Sequence, residues 1–256
     1  MSFFNKILSS VGIGAAKVDA RLSSDKISLG EELKGIIHVQ GGNIEQQIDE
    51  IYLSLQTTYV KESDDKKYEQ AATITKVKIN EPFVIMANEI KEIPFSFPLP
   101  LDTPISLGSS KVWLETGLDI KGAVDPSDKD YLEVVPPALV QTIFAALRDL
   151  GFNLRKVENE AAPYHLRKRL PFVQEFEFYP TGGQFRGKLD ELEVVISNIS
   201  NHGVELLLEV DRRARGLGGF LSEALEMDES MVKVTITQGD QASISRTLEN
   251  VIQRYS

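Results

Sequence analysis

Cysteine is absent from the 256 residues, so disulfides, thiolate nucleophiles and cysteine-held zinc or iron–sulfur centres are all excluded. No apolar run reaches the roughly 18–20 residues that a bilayer-crossing helix needs. Cations are in deficit, with 28 Lys and Arg against 38 Asp and Glu and a net charge of -10. That balance argues against a general nucleic-acid binder, whose affinity comes from neutralising phosphates. Catalytic signatures are missing too: no Walker-type phosphate loop, no G-x-G-x-x-G after a strand, no H-E-x-x-H and no G-x-S-x-G. The opening stretch MSFFNKILSSVGIG has a single cation, Lys6, and an apolar run broken by Asn5, Ser9 and Ser10, so it does not read as a secretory signal. The expected address is cytoplasmic.

What is present is ordinary globular chemistry: 42% hydrophobic and 26% charged residues, in a length that suits one large domain or two smaller ones. From about residue 15 to residue 134 the dominant period is two. Ile51, Leu53, Leu55 and Tyr59 share one face of a strand, with Glu50, Tyr52, Ser54, Gln56 and Thr58 on the other. The same alternation recurs at Val77 and Ile79, at Ile93, Phe95 and Phe97, and at Val112, Leu114, Leu118 and Ile120. Strands with one apolar face need a second sheet to cover it, so the punctuated short strands predict a β-sandwich.

Pro136 and Pro137 mark a seam, because proline donates no ladder hydrogen bond and restricts the residue before it. Leu139, Val140, Ile143, Phe144, Leu147 and Leu150 follow at helical spacing, with Gly151 as a left-handed stop, predicting a helix near 138–150. Alternation then returns at Phe172, Phe176 and Phe178, at Leu192, Val194 and Ile196, at Leu206, Leu208 and Val210, and at Val232, Val234 and Ile236. Ile244, Leu248, Val251, Ile252 and Tyr255 predict a closing amphipathic helix over 241–254, capped by Asp240 or Ser243. The expected organisation is all-β with few short helices: two sandwich domains, 1–135 and 136–256.

The halves differ in their cations. Before Pro136 there are 13 Lys and one Arg; from Pro136 onward there are 10 Arg and four Lys. Arginine makes forked contacts with carboxylate and phosphate, so the second half is the better place for an anion-binding surface. Within it, Arg212, Arg213 and Arg215 precede Gly216, Gly218 and Gly219, a cationic glycine-rich loop suited to a phosphorylated or acidic partner, or to pairing with the chain's own acids. Arg167, Lys168 and Arg169 form a second basic knot. These three loop arginines, Arg212, Arg213 and Arg215, are the candidate partner-binding residues. No catalytic residue, metal ligand or cofactor is expected.

Other candidates carry less. His38, His165 and His202 are far apart in sequence, and each reads as structural or solvated, His202 in a hairpin turn. Two acidic stretches, Glu62, Asp64 and Asp65, and Asp125, Asp128 and Asp130, lack the EF-hand spacing and read as solvated turns. Glu175 and Glu177 read as the outward face of a half-exposed sheet. Trp113 is the one strong stacking platform. Phe3, Phe4, Ile7, Leu8 and Val11 recur at helical spacing, a segment that packs on its own domain, lies on a membrane surface or docks a partner.

Several stretches carry a family resemblance. They are Leu29–Gly30–Glu31–Glu32–Leu33–Lys34–Gly35–Ile36–Ile37, Gln47–Ile48–Asp49–Glu50–Ile51–Tyr52–Leu53–Ser54–Leu55, and Ile93–Pro94–Phe95–Ser96–Phe97–Pro98–Leu99–Pro100 followed by Pro104, Ile105, Ser106 and Trp113. With Ser2–Phe3–Phe4–Asn5–Lys6 and the Asp211–Glu223 stretch, the chain resembles the bacterial sporulation-control branch of the arrestin-like superfamily. The resemblance implies two arrestin-like β-sandwich domains side by side. It also implies a non-enzymatic regulator or adaptor that controls the onset of sporulation through protein–protein interaction. Neither the phosphate-sensing polar core of receptor-activated members nor their clathrin-type tail motifs can be matched residue by residue. The residues themselves leave other readings: a small-ligand or carbohydrate-binding sandwich, a membrane-peripheral scaffold, and a homodimer built on an exposed edge strand.

Overall fold

The computed structural model describes residues 15–63, 66–121, 125–211, 231–240 and 243–256. Its strands in the first half are β1 (Lys17–Leu22), β2 (Lys26–Ser28), β3 (Glu32–Gln40), β4 (Gln46–Ser63), β5 (Lys66–Lys78), β6 (Phe83–Ile85), β7 (Ile90–Pro98), β8 (Val112–Ile120) and β9 (Ser127–Val135). In the second half they are β10 (Phe152–Ala161), β11 (Phe172–Pro180), β12 (Glu191–Ser200), β13 (Gly203–Asp211) and β14 (Met231–Thr237). Two described helices accompany them, α1 (Ala138–Asp149) and α2 (Ile244–Tyr255). The fold is all-β with short helices, as the alternation predicts.

Two compact units share this chain. One comprises the residues up to Thr57 with Thr73–Thr103 and Lys111–Val135; the other comprises Thr58–Ala72, Pro104–Ser110 and Pro136–Ser256. The chain therefore passes between units inside β4 and β5 and around Pro104–Ser110, as well as at the Pro136 seam.

In the first unit, β3 lies between β1 and β7 in an antiparallel sheet, with Leu22 opposite Gly35 and Gln40 opposite Ile90. A second sheet sets the first part of β4 against β8, β8 against β9, and β9 against β2. The predicted inward faces are the buried ones: Ile51, Leu53, Leu55, Leu114 and Leu118 are fully enclosed, as are Ile37 and Val39. Each such side chain contributes about 1.5–3 kcal/mol by leaving water. Two glycines of the Leu29–Ile37 stretch have geometric reasons. Gly30 sits at φ +81, turning the chain so that its N–H reaches the Leu99 carbonyl at 3.0 Å. At Gly35 a Cβ would stand 2.5 Å from the Arg21 carbonyl oxygen and 2.7 Å from the Phe95 ring.

In the second unit, β10 to β14 pair antiparallel in sequence order. Phe144 of α1 packs on Phe176 and Phe178 with ring centroids 5.0 and 5.7 Å apart, and α2 packs against α1. Helix α1 follows Pro137 and stops where Gly151 takes φ +94. Helix α2 starts at Ile244, later than the predicted residue 241, and buries Ile244, Leu248 and Ile252. Ser243 holds the N-cap position but makes no capping bond; its hydroxyl donates to the Asp240 carbonyl at 3.0 Å.

Candidate functional site

The candidate loop Arg212, Arg213 and Arg215 lies outside the described residues, as do Asp64, Asp65 and the N-terminal segment. The other candidates are placed. In the second basic knot, the Lys168 ammonium donates to the Ser197 carbonyl at 2.6 Å, where β12 bulges between Ile196 and Asn198, and Arg169 is engaged with neighbouring groups. His38 stands on β3 with Nδ1 3.3 Å from Glu92 Oε1. His165 lies in the turn after β10, and His202 sits in the two-residue hairpin between β12 and β13. Trp113 lies beside Tyr131 at 6.2 Å between centroids, with the Lys129 ammonium 3.9 Å above the indole.

The second acidic stretch serves backbone groups. Asp125 accepts the Ile120 N–H at 3.0 Å, and Asp128 Oδ2 accepts the Ala20 N–H at 3.0 Å. Asp130 is half-buried beside Asp128. Burial first, then the charge and hydrogen bond of Asp128, raise its carboxyl to about 6. No group of three or more potential metal-ligating side chains is found among the described residues.

Glu175 is buried, where the alternation predicts a half-exposed outward face. Glu175 lies on the sheet face opposite the phenylalanines, as alternation requires, yet it is only 5% exposed. Cross-strand partners extend the pattern: Glu158 faces Glu175, Glu177 faces Glu193, and Glu193 faces Glu209. Glu193 and Glu209 are buried as well and have partners. A period of two tells which face a side chain takes, not whether that face is covered.

Lys156 anchors one end of this polar face, its ammonium 2.7 Å from Glu158 Oε2 and 3.5 Å from Glu160 Oε1. Burial opposes the Lys156 charge, but the hydrogen bond and charge of Glu158 overcome it and raise the lysine pKa. Glu175 is the reverse case. Burial, then the negative charge of Glu160, push its carboxyl up to about 8 against the pull of Lys156, so it is a neutral acid at pH 7. Its Oε2 has no hydrogen-bond partner among the described residues.

Strand edges decide where another protein can add to these sheets, because an edge displays unpaired N–H and C=O groups. In the first unit both edges of the β1–β3–β7 sheet are obstructed. Odd-numbered residues of β7 face β3, a pattern fixed at its ends by Gly41 N–H to Glu89 O at 2.7 Å and Leu99 N–H to Glu31 O at 2.8 Å. The outward positions are then Ile90, Glu92, Pro94, Ser96 and Pro98, and two of the five carry no N–H. On the β1 side, the Ala20 N–H is taken by Asp128 and the preceding Ala16 N–H by Gln46 Oε1 at 2.7 Å.

The β14 edge is different. The Ser200–Gly203 hairpin turns the odd residues of β13 towards β12, so its even residues Val204, Leu206 and Leu208 bond Ile236, Val234 and Val232 of β14. Met231, Lys233, Thr235 and Thr237 therefore point their backbone groups away from the sheet. Thr237 agrees with this phase, since its N–H turns out to Asp240 Oδ2 at 2.9 Å. Among the described residues no strand pairs with the outward side of Met231, Lys233 and Thr235, and Lys233 and Thr235 are exposed. The sequence marked β14 as a strand, but only the pairing order reveals it as an edge.

The family described as SpoOM protein matches residues 4–214 of the chain. The chain is 44% identical over 259 residues to the sporulation-control protein spo0M of Bacillus subtilis (strain 168), with all of both chains covered. It also superposes on the crystal structure of Spo0M, sporulation control protein, from Bacillus subtilis, with a TM-score of 0.89 at 43% identity, covering 95% of this chain and 100% of that one.

Proposed function

Because the chain belongs to the SpoOM protein family, we propose that it serves sporulation control as a non-enzymatic cytoplasmic adaptor that acts by binding other proteins. The observation that carries this reading is the edge of β14, unpaired among the described residues, which offers the backbone groups of Met231, Lys233 and Thr235 to an added strand. Support also comes from contrast. Prolines break up the β7 edge and side chains cap β1, so the first unit guards against the contact that β14 invites. No helix among the described residues is long and apolar enough to cross a membrane.

The test uses Thr235→Pro, which deletes an outward N–H and leaves the bonds to β13 intact. In a Bacillus subtilis strain lacking its own sporulation-control protein, the parent chain and Thr235→Val are expected to move heat-resistant spore counts towards those of the parent strain. Thr235→Pro, at equal protein level, is expected not to. Equal rescue by all three would remove β14 from the adaptor reading.

A further inference from the structure

The β14 edge has a chemistry as well as a geometry, and the chemistry selects a kind of partner. The open window runs from Met231, the first residue of the strand, to Thr235. Beyond it the ladder is stopped, because Asp240 Oδ2 accepts both the Thr237 N–H at 2.9 Å and the Thr237 hydroxyl at 2.6 Å. An added strand thus has about five residues, or roughly 17 Å, in which to pair.

Within that window the two faces differ. On the face shared with Phe176 and Phe178, β14 presents Val232 and Val234, and Val234 is 6% exposed at the margin of the core. Apolar β-branched side chains on the incoming strand extend that surface through cross-strand contacts. On the other face stand Met231, Lys233 and Thr235. The Lys233 ammonium bonds Glu205 Oε2 at 2.9 Å, and the Lys233 side chain as a whole is more than half exposed. A residue opposite Lys233 on an added strand sits within reach of that side chain, where a carboxylate gains and a cation is repelled.

This combination also weighs against a second copy of the same strand. The β14 sequence MVKVTIT contains no acidic residue, so a copy brings a methionine, lysine or threonine where the site calls for a carboxylate. Resting on the adaptor reading above, we propose that β14 takes up an extended segment of a different protein, about five residues long. Its alternate residues are apolar and β-branched, and an Asp or Glu stands opposite Lys233.

A displayed library of random nine-residue peptides, panned against the full chain, tests this with three proteins: the parent, Thr235→Pro and Lys233→Glu. Peptides enriched on the parent are expected to alternate Val, Ile or Thr with polar positions and to share one acidic position. On Lys233→Glu that position is expected to change to Lys or Arg. Synthetic versions of the enriched peptides are expected to bind Thr235→Pro at least tenfold more weakly, with the far-ultraviolet circular dichroism of the variant unchanged. If Thr235→Pro does not fold, the charge exchange at Lys233→Glu decides the matter alone. Enriched peptides that lack a shared acid, or that ignore Lys233→Glu, overturn the proposed partner chemistry while leaving strand addition in place. Peptides that bind Thr235→Pro as well as the parent overturn strand addition itself. Sedimentation velocity adds an independent arm: a concentration-dependent dimer abolished by Thr235→Pro shows that a second copy occupies the edge, and overturns the proposal.

Discussion

Glu158 of β10 and Glu175 of β11 stand directly opposite one another in the antiparallel register, on the face turned away from the phenylalanine core. Two carboxylates in that relation repel unless a cation or a proton intervenes. Both devices are used: Lys156 bonds Glu158 at 2.7 Å, and Glu175 retains its proton.

The retained proton predicts a pH dependence of stability. The Glu175 carboxyl titrates near 4.5 when unfolded and near 8 in the fold, so between those values the native state holds a proton that the unfolded chain has released. Stability is greatest below the lower value and falls as pH rises towards 8, by an amount on the order of a few kcal/mol. Glu175→Gln removes this titration. In urea unfolding between pH 5 and pH 9, the variant is expected to gain on the parent steadily as pH rises, and parallel curves would refute the assignment.

One member of a second carboxylate pair, Asp128, pins the edge of β1. Asp128→Ala is expected to cost about 1.5–3 kcal/mol, the scale of one hydrogen bond to a charged acceptor. It also removes the charge and hydrogen bond that help raise Asp130 to about 6. An NMR titration should therefore show the Asp130 midpoint moving down towards the ordinary carboxylate range, and amide exchange at Ala20 should accelerate. Protection of the Ala20 amide that survives the substitution would contradict its bond to Asp128.

The prolines of β7 predict an association phenotype. Replacing Pro94 and Pro98 together by Thr restores two outward N–H groups without touching the bonds to β3. Monomer stability is expected to change by less than about 1 kcal/mol. Light scattering coupled to size exclusion is expected to show concentration-dependent association absent from the parent. A variant as monodisperse as the parent would mean that the prolines are not what guards this edge.

Much of the fold was legible because burial wrote it into the alternation. Ile51, Leu53 and Leu55 on β4, and Phe172, Phe176 and Phe178 on β11, were assigned to inward faces by spacing and are buried. The stop at Gly151 was equally readable, since that residue acts through local backbone geometry. The family resemblance rested on stretches such as Leu29–Ile37, whose glycines turn out to meet local steric demands. What stayed hidden depends on partners distant in sequence. Glu175 looked solvated because nothing in residues 172–178 reports what lies over them. Asp128 looked like a turn residue because its bond to Ala20 spans 108 positions. Lys233 and Thr235 looked like any polar strand face, because an edge is a property of pairing order. The arginine loop at Arg212–Arg215, prominent in the sequence, lies outside the described residues.

The exchange of chain between the two units has a genetic consequence. Since Thr58–Ala72 and Pro104–Ser110 group with the half that begins at Pro136, neither body corresponds to a continuous stretch of gene. A stop codon or fusion breakpoint near the midpoint would not release one working half; it would leave one fragment carrying orphaned pieces and the other lacking them. The two bodies are thus inherited together, and lineages that divide or shuffle this gene are expected to be rare among those that keep its product.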